Sequence, residues 1–206
     1  MADNAAFPEL MRDRLCGRLP GRDAQAKMSP RGRPGKTDIK DFPCREAAVL
    51  ALLHQTAAGP AVVLIERPAH LRKHPGQIAF PGGRREEGET RLQAAVRETH
   101  EEVGVPEDRF EVLGALTPLY IPPSGFCVFP FVGWATDLPE FVLDPGEVAA
   151  AFSAPLAAFV DGPRDLIDIP KLERMVPAFL FEGRRVWGAT AMMLSELAEL
   201  SEALLP

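Results

Sequence analysis

Three glutamates lie within five residues of one another in the segment 97–104, RETHEEVG. Glu98, Glu101 and Glu102 have the spacing i, i+3, i+4, which places them on one face of a helix. Like charges at this spacing destabilise a helix by roughly a few tenths of a kcal/mol per pair. One explanation is a solvated acidic face on which Arg97 pairs with Glu101 at i, i+4. The other is a site for Mg²⁺ or Mn²⁺, hard cations that prefer carboxylate oxygens.

Two neighbouring features favour the metal site. A glycine-rich loop, 80–89 (FPGGRREEGE), leads directly into the acidic segment, and Ala94 and Ala95 leave space beside it. Gly82 and Gly83 allow the backbone to approach a phosphate closely or to offer a carbonyl to an ion. Divalent ions at a phosphate neutralise its charge, prepare a water for attack and stabilise the leaving oxygen. The residues therefore predict metal-dependent hydrolysis of a phosphate ester or anhydride.

A helix over 89–103 is the element that would position these carboxylates. Its apolar residues recur at helical spacing on a stripe separate from the acidic face: Leu92, Ala95, Val96, Thr99 and Val103. Gly104 provides a stop because glycine readily adopts the left-handed conformation that ends helices. Glu89 stands at the predicted start, where the helix dipole favours an anion.

The rest of the chain alternates between strand and helix patterns. Strands are predicted within 47–53, 61–67, 77–83, 110–121, 125–136 and, as a hairpin turning at 182–183, 174–188. Helices are predicted within 5–19 and 190–205, and 145–160 has the pattern of a helix start that runs into an apolar segment. A basic, Gly/Pro-rich extended connector is expected after the first helix, up to residue 42. This interleaving predicts an α/β or α+β class, with a mixed sheet covered by helices.

Composition excludes several classes of function. A net charge of −6 gives no general attraction to nucleic acid or to an anionic membrane. The sequence has no apolar run near the roughly 20 residues of a membrane span, and its first residues do not resemble a secretory signal. Cys16, Cys44 and Cys127 are far apart and odd in number, which predicts free thiols in a reducing cytosol. We therefore expect a cytoplasmic protein, monomeric or homodimeric, whose partner is a small-molecule substrate.

The segment 83–105, GRREEGETRLQAAVRETHEEVGV, resembles the Nudix box, G-x5-E-x7-R-E-U-x-E-E-x-G-U, where U is a bulky aliphatic residue. The matching positions are Gly83, Glu89, Arg97, Glu98, Glu101, Glu102, Gly104 and Val105. Thr99 departs from the pattern at the first U, although its methyl group suits the apolar stripe. Eight fixed positions over 23 residues make this resemblance specific.

A second pattern lies just upstream. The segment 63–83, VLIERPAHLRKHPGQIAFPGG, resembles the signature of the coenzyme A pyrophosphatase branch of the Nudix hydrolases. The matches are Arg67, Arg72, Gly76, Phe80, Pro81, Gly82 and Gly83, and the departures are Val63, Ile65 and Pro68. Segments 124–133, 147–159 and 187–194 also look similar to this branch. The resemblance implies a division into an N-terminal helix and connector, 1–42, and a Nudix domain, 43–206.

The resemblance implies a fold and a reaction. The fold is a mixed β-sheet sandwiched between α-helices, with the box as a loop–helix–loop. The reaction is Mg²⁺- or Mn²⁺-dependent attack of water on the diphosphate of coenzyme A (CoA) or its thioesters, giving 3′,5′-ADP and 4′-phosphopantetheine or its acyl form. The alternatives are a Nudix enzyme for another nucleoside diphosphate derivative, such as ADP-ribose or NADH, and a non-catalytic nucleotide-sensing module.

Metal ligands follow from the same match. The expected ligands are Glu98, Glu101, Glu102 and the carbonyl of Gly82 or Gly83. Arg97 is expected to orient a carboxylate, with Glu89 or Glu101 as its partner.

The match leaves the general base open and indicates the residues that bind substrate. The candidate bases are Glu101, Glu102 and Glu147, and Glu147 is equally well explained as a first-turn helix residue. Arg67 and Arg72, together with Gly82 and Gly83, are expected to bind substrate phosphates, because arginine forks bind phosphate in a bidentate way. A surface ion pair is the alternative role for each arginine.

Overall fold

The computed structural model describes residues 6–30, 39, 43–71, 74–169 and 174–205. Arg72, one of the two predicted phosphate-binding arginines, lies outside these residues, as does most of the segment 31–42. The helices are α1 (Ala6–Cys16), α2 (Gly21–Ala26), α3 (Arg91–Val103), α4 (Ala157–Val160) and α5 (Gly188–Ser201). The strands are β1 (Arg45–Thr56), β2 (Gly59–Glu66), β3 (Ile78–Ala79), β4 (Gly82–Arg84), β5 (Glu111–Ala115), β6 (Leu119–Ile121), β7 (Phe126–Ala135), β8 (Ala150–Pro155), β9 (Arg164–Ile169), β10 (Arg174–Phe181) and β11 (Arg184–Trp187).

The main sheet is mixed and centred on β1. β1 pairs in parallel with β7 and antiparallel with β2 and β4, in the order β3-β2-β1-β7-β5, with β8 added along β2. Successive side chains of β1 alternate between two cores: Ala48 and Leu50 belong to the α3 face, and Ala51 and Leu53 to the α5 face. The predicted mixed sheet between helices is therefore confirmed. A smaller antiparallel sheet contains β9, β10 and β11.

The N-terminal helices pack onto the α5 side. Phe7, Met11 and Leu15 of α1 are buried in the same apolar cluster as the sheet. The extended connector predicted after α1 is wrong for 21–26, which form α2. The helix is held by tertiary contacts rather than by its sequence pattern, because the buried Ala24 carbonyl accepts a hydrogen bond from Ser195 Oγ (2.8 Å). The division at residue 42 stays a prediction.

The segment 145–160 also differs from its sequence prediction. It forms a turn, the strand β8 and the short helix α4 rather than a helix that starts near 145. β8 pairs antiparallel with β2 over six residues, from Ala61 opposite Pro155 to Glu66 opposite Ala150. This pairing satisfies the backbone of β2 on its open side and overrides the local preference of an alanine-rich segment for helix.

Two of the three cysteines are joined. Cys44 and Cys127 form a disulfide, so the prediction of free thiols is wrong for this pair, whereas Cys16 is free and exposed. The parallel pairing of β1 with β7 sets Glu46 opposite Cys127 and brings the two cysteine Cα atoms within 5.6 Å. A sequence separation of 83 residues hides this proximity. No helix in the described part of the chain is long and apolar enough to cross a membrane. The cytoplasmic location stays a prediction.

Candidate functional site

Helix α3 has a defined start and end. Thr90 and Gln93 form a capping box, in which Thr90 Oγ1 accepts from the Gln93 backbone N–H (3.2 Å) and Gln93 Oε1 accepts from the Thr90 N–H (2.8 Å). The helix therefore begins at Arg91, two residues later than the sequence pattern indicated. Gly104 ends it in the left-handed conformation, with φ of 73°. These two ends fix the rotation of α3 over the sheet.

The buried face of α3 includes one of the three glutamates. Ala95, Thr99 and Val103 are buried as predicted, whereas Leu92 and Val96 are only half-buried. The Thr99 hydroxyl donates to the Ala95 carbonyl (2.7 Å), so threonine satisfies its polar group within the helix. Glu102 lies on this buried face rather than on a separate acidic one. The burial of a carboxylate is expensive without compensation, which makes Glu102 a candidate functional residue.

Glu102 is held rigidly but incompletely satisfied. Its side chain is 2% exposed, and its Oε2 accepts a hydrogen bond from the Gly82 N–H (2.8 Å). Its Oε1 has no hydrogen-bond partner among the described residues, and Arg67 Nη1 lies 3.7 Å from it. Burial, and to a smaller extent the negative charges of Glu98 and Glu147, raise the pKa of Glu102 to about 8, against the lowering effects of the Gly82 hydrogen bond and the charge of Arg67.

Glu98 lies one helical turn away against the glycine loop. Its side chain is 15% exposed, and burial raises its pKa. A Cβ on Gly83 would overlap the Glu98 carboxylate, and a Cβ on Gly82 would overlap the backbone of β1. Glycine is therefore required at both positions, because α3, β4 and β1 approach too closely for any side chain. This confined space contains two carboxylates and backbone amides.

Arg97 is the central cation of the site. Its guanidinium donates to Glu89 (Nη2 to Oε1, 3.0 Å), to Glu98 Oε1 (3.0 Å) and to Glu101 Oε2 (2.8 Å). Both partners considered for Arg97 on sequence grounds are therefore in contact with it. The hydrogen bonds that Arg97 donates to Glu89, followed by the charge of Glu98, raise the pKa of Arg97. A single fork thus holds the loop residue Glu89 and two carboxylates of the helix in fixed positions.

The other predicted residues lie at the rim. Glu101 has 55% of its side chain exposed and points to Arg97. Glu147 is exposed in the turn before β8, not in the first turn of a helix, and its charge acts on both Glu98 and Glu102. Within the described residues, no three His, Cys, Asp or Glu side chains already surround one point closely enough to hold an ion. The arrangement brings Glu98 and Glu102 together and leaves Glu101 outside them.

The donor set nevertheless fits a hard divalent cation. All candidate ligands are carboxylate or carbonyl oxygens, which Mg²⁺ and Mn²⁺ prefer. The unpartnered Oε1 of the buried Glu102 is the specific observation, because a bound cation would compensate the burial of this oxygen when the carboxyl is ionised. Glu98 is the neighbouring carboxylate.

Sequence reasoning missed the partner of Arg67 and two further arginines. Arg67, expected to bind substrate, lies at the end of β2 beside Glu102, and no sequence signal pairs residues 35 positions apart. Arg85 and Arg91 both bind Glu46, at the start of β1. Only the pairing of β1 with β4 reveals this contact. The capping box was also missed, although Thr90 and Gln93 at the spacing T-x-x-Q are a local signal for it.

Comparison with known proteins identifies the family. The model of the NUDIX domain matches residues 45–174. A Pectobacterium atrosepticum protein named uncharacterized Nudix hydrolase NudL is 38% identical over 160 residues, covering 75% of this chain and 81% of its own. A Caenorhabditis elegans protein named peroxisomal coenzyme A diphosphatase ndx-8 is 37% identical over 166 residues, covering 76% of this chain and 70% of its own. The chain therefore belongs to the Nudix hydrolase family.

Solved structures agree with this fold. A Nudix hydrolase from Nitrosomonas europaea aligns with a TM-score of 0.53 at 17% identity, covering 87% of this chain and 81% of its own. RenU, a Nudix hydrolase from M. smegmatis, aligns with a TM-score of 0.52 at 23% identity, covering 78% of this chain and 87% of its own. At these identities the likeness concerns the fold alone.

Proposed function

We propose that this protein is a divalent-metal-dependent diphosphatase that hydrolyses coenzyme A or its thioesters to 3′,5′-ADP and 4′-phosphopantetheine or its acyl form. The observation that carries the reaction type is the buried, unpartnered oxygen of Glu102 beside Glu98 and the glycine loop. The similarity to a C. elegans protein named as a coenzyme A diphosphatase supports the choice of substrate, as does the upstream signature that contains Arg67.

The proposed metal ligands are Glu98, Glu101, Glu102 and the carbonyl of Gly82 or Gly83. When bound, Mg²⁺ or Mn²⁺ supplies charge neutralisation for the diphosphate, a more acidic water and stabilisation of the leaving oxygen. Glu101 is the ligand that has to turn inwards, which its exposure permits. Glu98 and Glu102 need no large movement, because packing already fixes both.

The remaining residues have roles in positioning and proton transfer. Arg97 is a positioning residue, because it holds Glu98 and Glu101 at fixed separation through one guanidinium. Arg67, 25% exposed beside the buried carboxylate, can turn its free donors towards the diphosphate. Glu101 and Glu147, at the rim, are the two groups with room to accept the proton of the attacking water. Arg72 is proposed as a second phosphate ligand on the resemblance alone.

The test is a product assay on a panel of substrates. The protein is incubated with Mg²⁺ or Mn²⁺ and with CoA, acetyl-CoA, ADP-ribose or NADH. The products are separated by chromatography and identified by mass spectrometry. We expect 3′,5′-ADP from CoA, and loss of at least about a hundredfold in kcat for Glu98→Gln and Glu102→Gln, the charge-free isosteres. Faster turnover of ADP-ribose or NADH than of CoA would show that CoA is not the preferred substrate. No turnover of any compound would favour a sensing module.

A further inference from the structure

A second charged cluster lies beside the site, at the amino-terminal end of α3. Arg85 and Arg91 both bind the carboxylate of Glu46, the second residue of β1. Arg85 Nε donates to Glu46 Oε2 (2.6 Å), and Arg91 donates to Oε1 through Nη2 and Nε. The hydrogen bond from Arg91 is the main cause that lowers the pKa of Glu46. One carboxylate thus holds two guanidinium groups close together.

Both guanidinium groups are held in place, and each has N–H groups that these contacts do not use. Arg91 also stacks over the ring of Phe129, with its Cζ 3.7 Å from the ring centroid. Arg85 donates from Nη1 to the Glu89 carbonyl (2.8 Å). Among the described residues, Arg85 Nη2 and Arg91 Nη1 have no hydrogen-bond partner. Their side chains are 36% and 47% exposed, so these donors are accessible to a ligand.

A shallow cavity of about 420 Å³ opens at these donors. Its lining includes Glu46, Arg85, Arg91 and the ring of Phe131. Glu89 also lines it, but Arg97 binds the Glu89 carboxylate. The lining thus carries two guanidinium groups and two carboxylates, and Arg97, which binds Glu89, also binds Glu98 and Glu101. Planar guanidinium forks whose N–H groups have no partner among the described residues are suited to a phosphate monoester.

The cavity is connected to the metal-binding loop by β4. The Arg85 N–H donates to the Glu46 carbonyl (3.0 Å), so the pairing with β1 continues one residue beyond β4. Side chains two residues apart in a strand lie on the same face, so Arg85 points to the face on which Gly83 contacts Glu98. The two backbone positions are about 7 Å apart at the usual rise of a strand. The arginine pair and the glycine loop are therefore neighbours along one strand and share one of its faces.

We propose that Arg85 and Arg91 bind the 3′-phosphate on the ribose of coenzyme A while the diphosphate lies at Glu98 and Glu102. This proposal rests on the proposed function, since it assigns a group of that substrate. The 3′-phosphate is separated from the diphosphate only by the ribose and its exocyclic carbon. ADP-ribose and NADH have no phosphate monoester at this position, so the two arginines act as specificity-determining residues. Glu46 fixes both arginines before the substrate arrives.

The experiment compares CoA with dephospho-CoA, which differs only in the absence of the 3′-phosphate. The measured quantity is the ratio of kcat/KM for CoA to that for dephospho-CoA. We expect the wild-type ratio to exceed one and to fall by about tenfold in Arg91→Ala and in Arg85→Ala, the loss expected for one charged hydrogen bond. A ratio, unlike a single rate, is not moved by a purely structural role.

The matched control is Arg45→Ala. Arg45 also stacks on a phenylalanine of β7, Phe126, and binds a backbone carbonyl, that of Ser124, but it does not line the cavity. The substitution Arg45→Ala should therefore leave the ratio of kcat/KM for CoA to that for dephospho-CoA unchanged. Arg91→Lys keeps the charge without the planar fork, so we expect an intermediate ratio.

Each result decides between the proposals. A wild-type ratio near one overturns the 3′-phosphate site, whether or not the variants fold, and so does an equal loss on both substrates in the variants. The same ratio can be measured for NADPH against NADH, which differ only by a 2′-phosphate. If the arginine variants lower that ratio and leave the ratio of CoA to dephospho-CoA unchanged, the arginines bind a 2′-phosphate and the CoA assignment is overturned. Complete absence of CoA hydrolysis by the wild type refutes the proposed function itself.

Discussion

The buried carboxylate of Glu102 makes the stability of the metal-free protein depend on pH. Its pKa is about 8 in the folded protein, against an ordinary value of 4.5. Between these values the folded protein holds a proton that the unfolded chain releases, so the free energy of unfolding falls as pH rises. One pKa unit corresponds to about 1.4 kcal/mol, which sets an upper limit on the order of 5 kcal/mol for the full effect. Below about pH 4.5 Glu102 makes no such contribution.

The assay is urea denaturation in the presence of EDTA at pH values from 5 to 8. Glu102→Gln keeps the shape of the side chain and removes the titration, so we expect it to gain stability relative to wild type as pH rises, by up to a few kcal/mol at pH 8. Glu98, whose pKa is also raised, contributes a pH slope to both proteins, and the difference between them includes its charge interaction with Glu102. Added Mg²⁺ or Mn²⁺ should restore the stability of the wild type alone.

The control for this comparison is Glu101→Gln, which removes a carboxylate from the same helix at a position 55% exposed. This variant leaves the buried carboxylate in place, so its difference from wild type should change much less with pH than that of Glu102→Gln. A difference between Glu102→Gln and wild type that does not change between pH 5 and pH 8 would refute the argument that burial governs this group.

Three further predictions concern the elements that position the site. Gly83→Ala introduces a Cβ that overlaps the Glu98 carboxylate. Mn²⁺ affinity, measured by titration, and kcat for the hydrolysed substrate, measured by initial rates, should therefore both fall by about a hundredfold or more. Affinity and kcat equal to wild type would contradict this prediction. Arg97→Lys cannot bind Glu89, Glu98 and Glu101 at once, so kcat should fall by about tenfold to a hundredfold with little change in KM; a change in KM alone would indicate a substrate ligand instead. Thr90→Ala removes the cap of α3 and should cost about 1 kcal/mol in urea denaturation, whereas Thr90→Ser should retain most of it; equal losses in both variants would show that the hydroxyl is not responsible.

The helix that carries the site could be predicted because its signals are local. Gly104, the apolar residues at helical spacing and the glycine loop all lie within a short segment. The apolar spacing indicates a helix, and Gly104 indicates where it ends. Strands such as β1 and β2 were visible as apolar runs on either side of a short turn. The start of α3 was wrong by two residues because Glu89 suits both a helix dipole and the ion pair with Arg97 that it actually forms.

The features that sequence could not predict depend on long-range pairing. β8 forms a strand because β2 offers an open edge, not because its alanines prefer one. The disulfide between Cys44 and Cys127 follows from the register of β1 against β7. The contact of Arg67 with Glu102 likewise needs the end of β2 to lie over α3.

The most direct test of the central claim, that Glu98 and Glu102 hold a divalent ion, is a titration of the protein with Mn²⁺ followed by electron paramagnetic resonance of the free ion. We predict saturable binding to the wild type, with affinity weakened by at least about tenfold in Glu102→Gln and in Glu98→Gln. Binding of equal affinity in all three proteins, or none in the wild type, would contradict the claim.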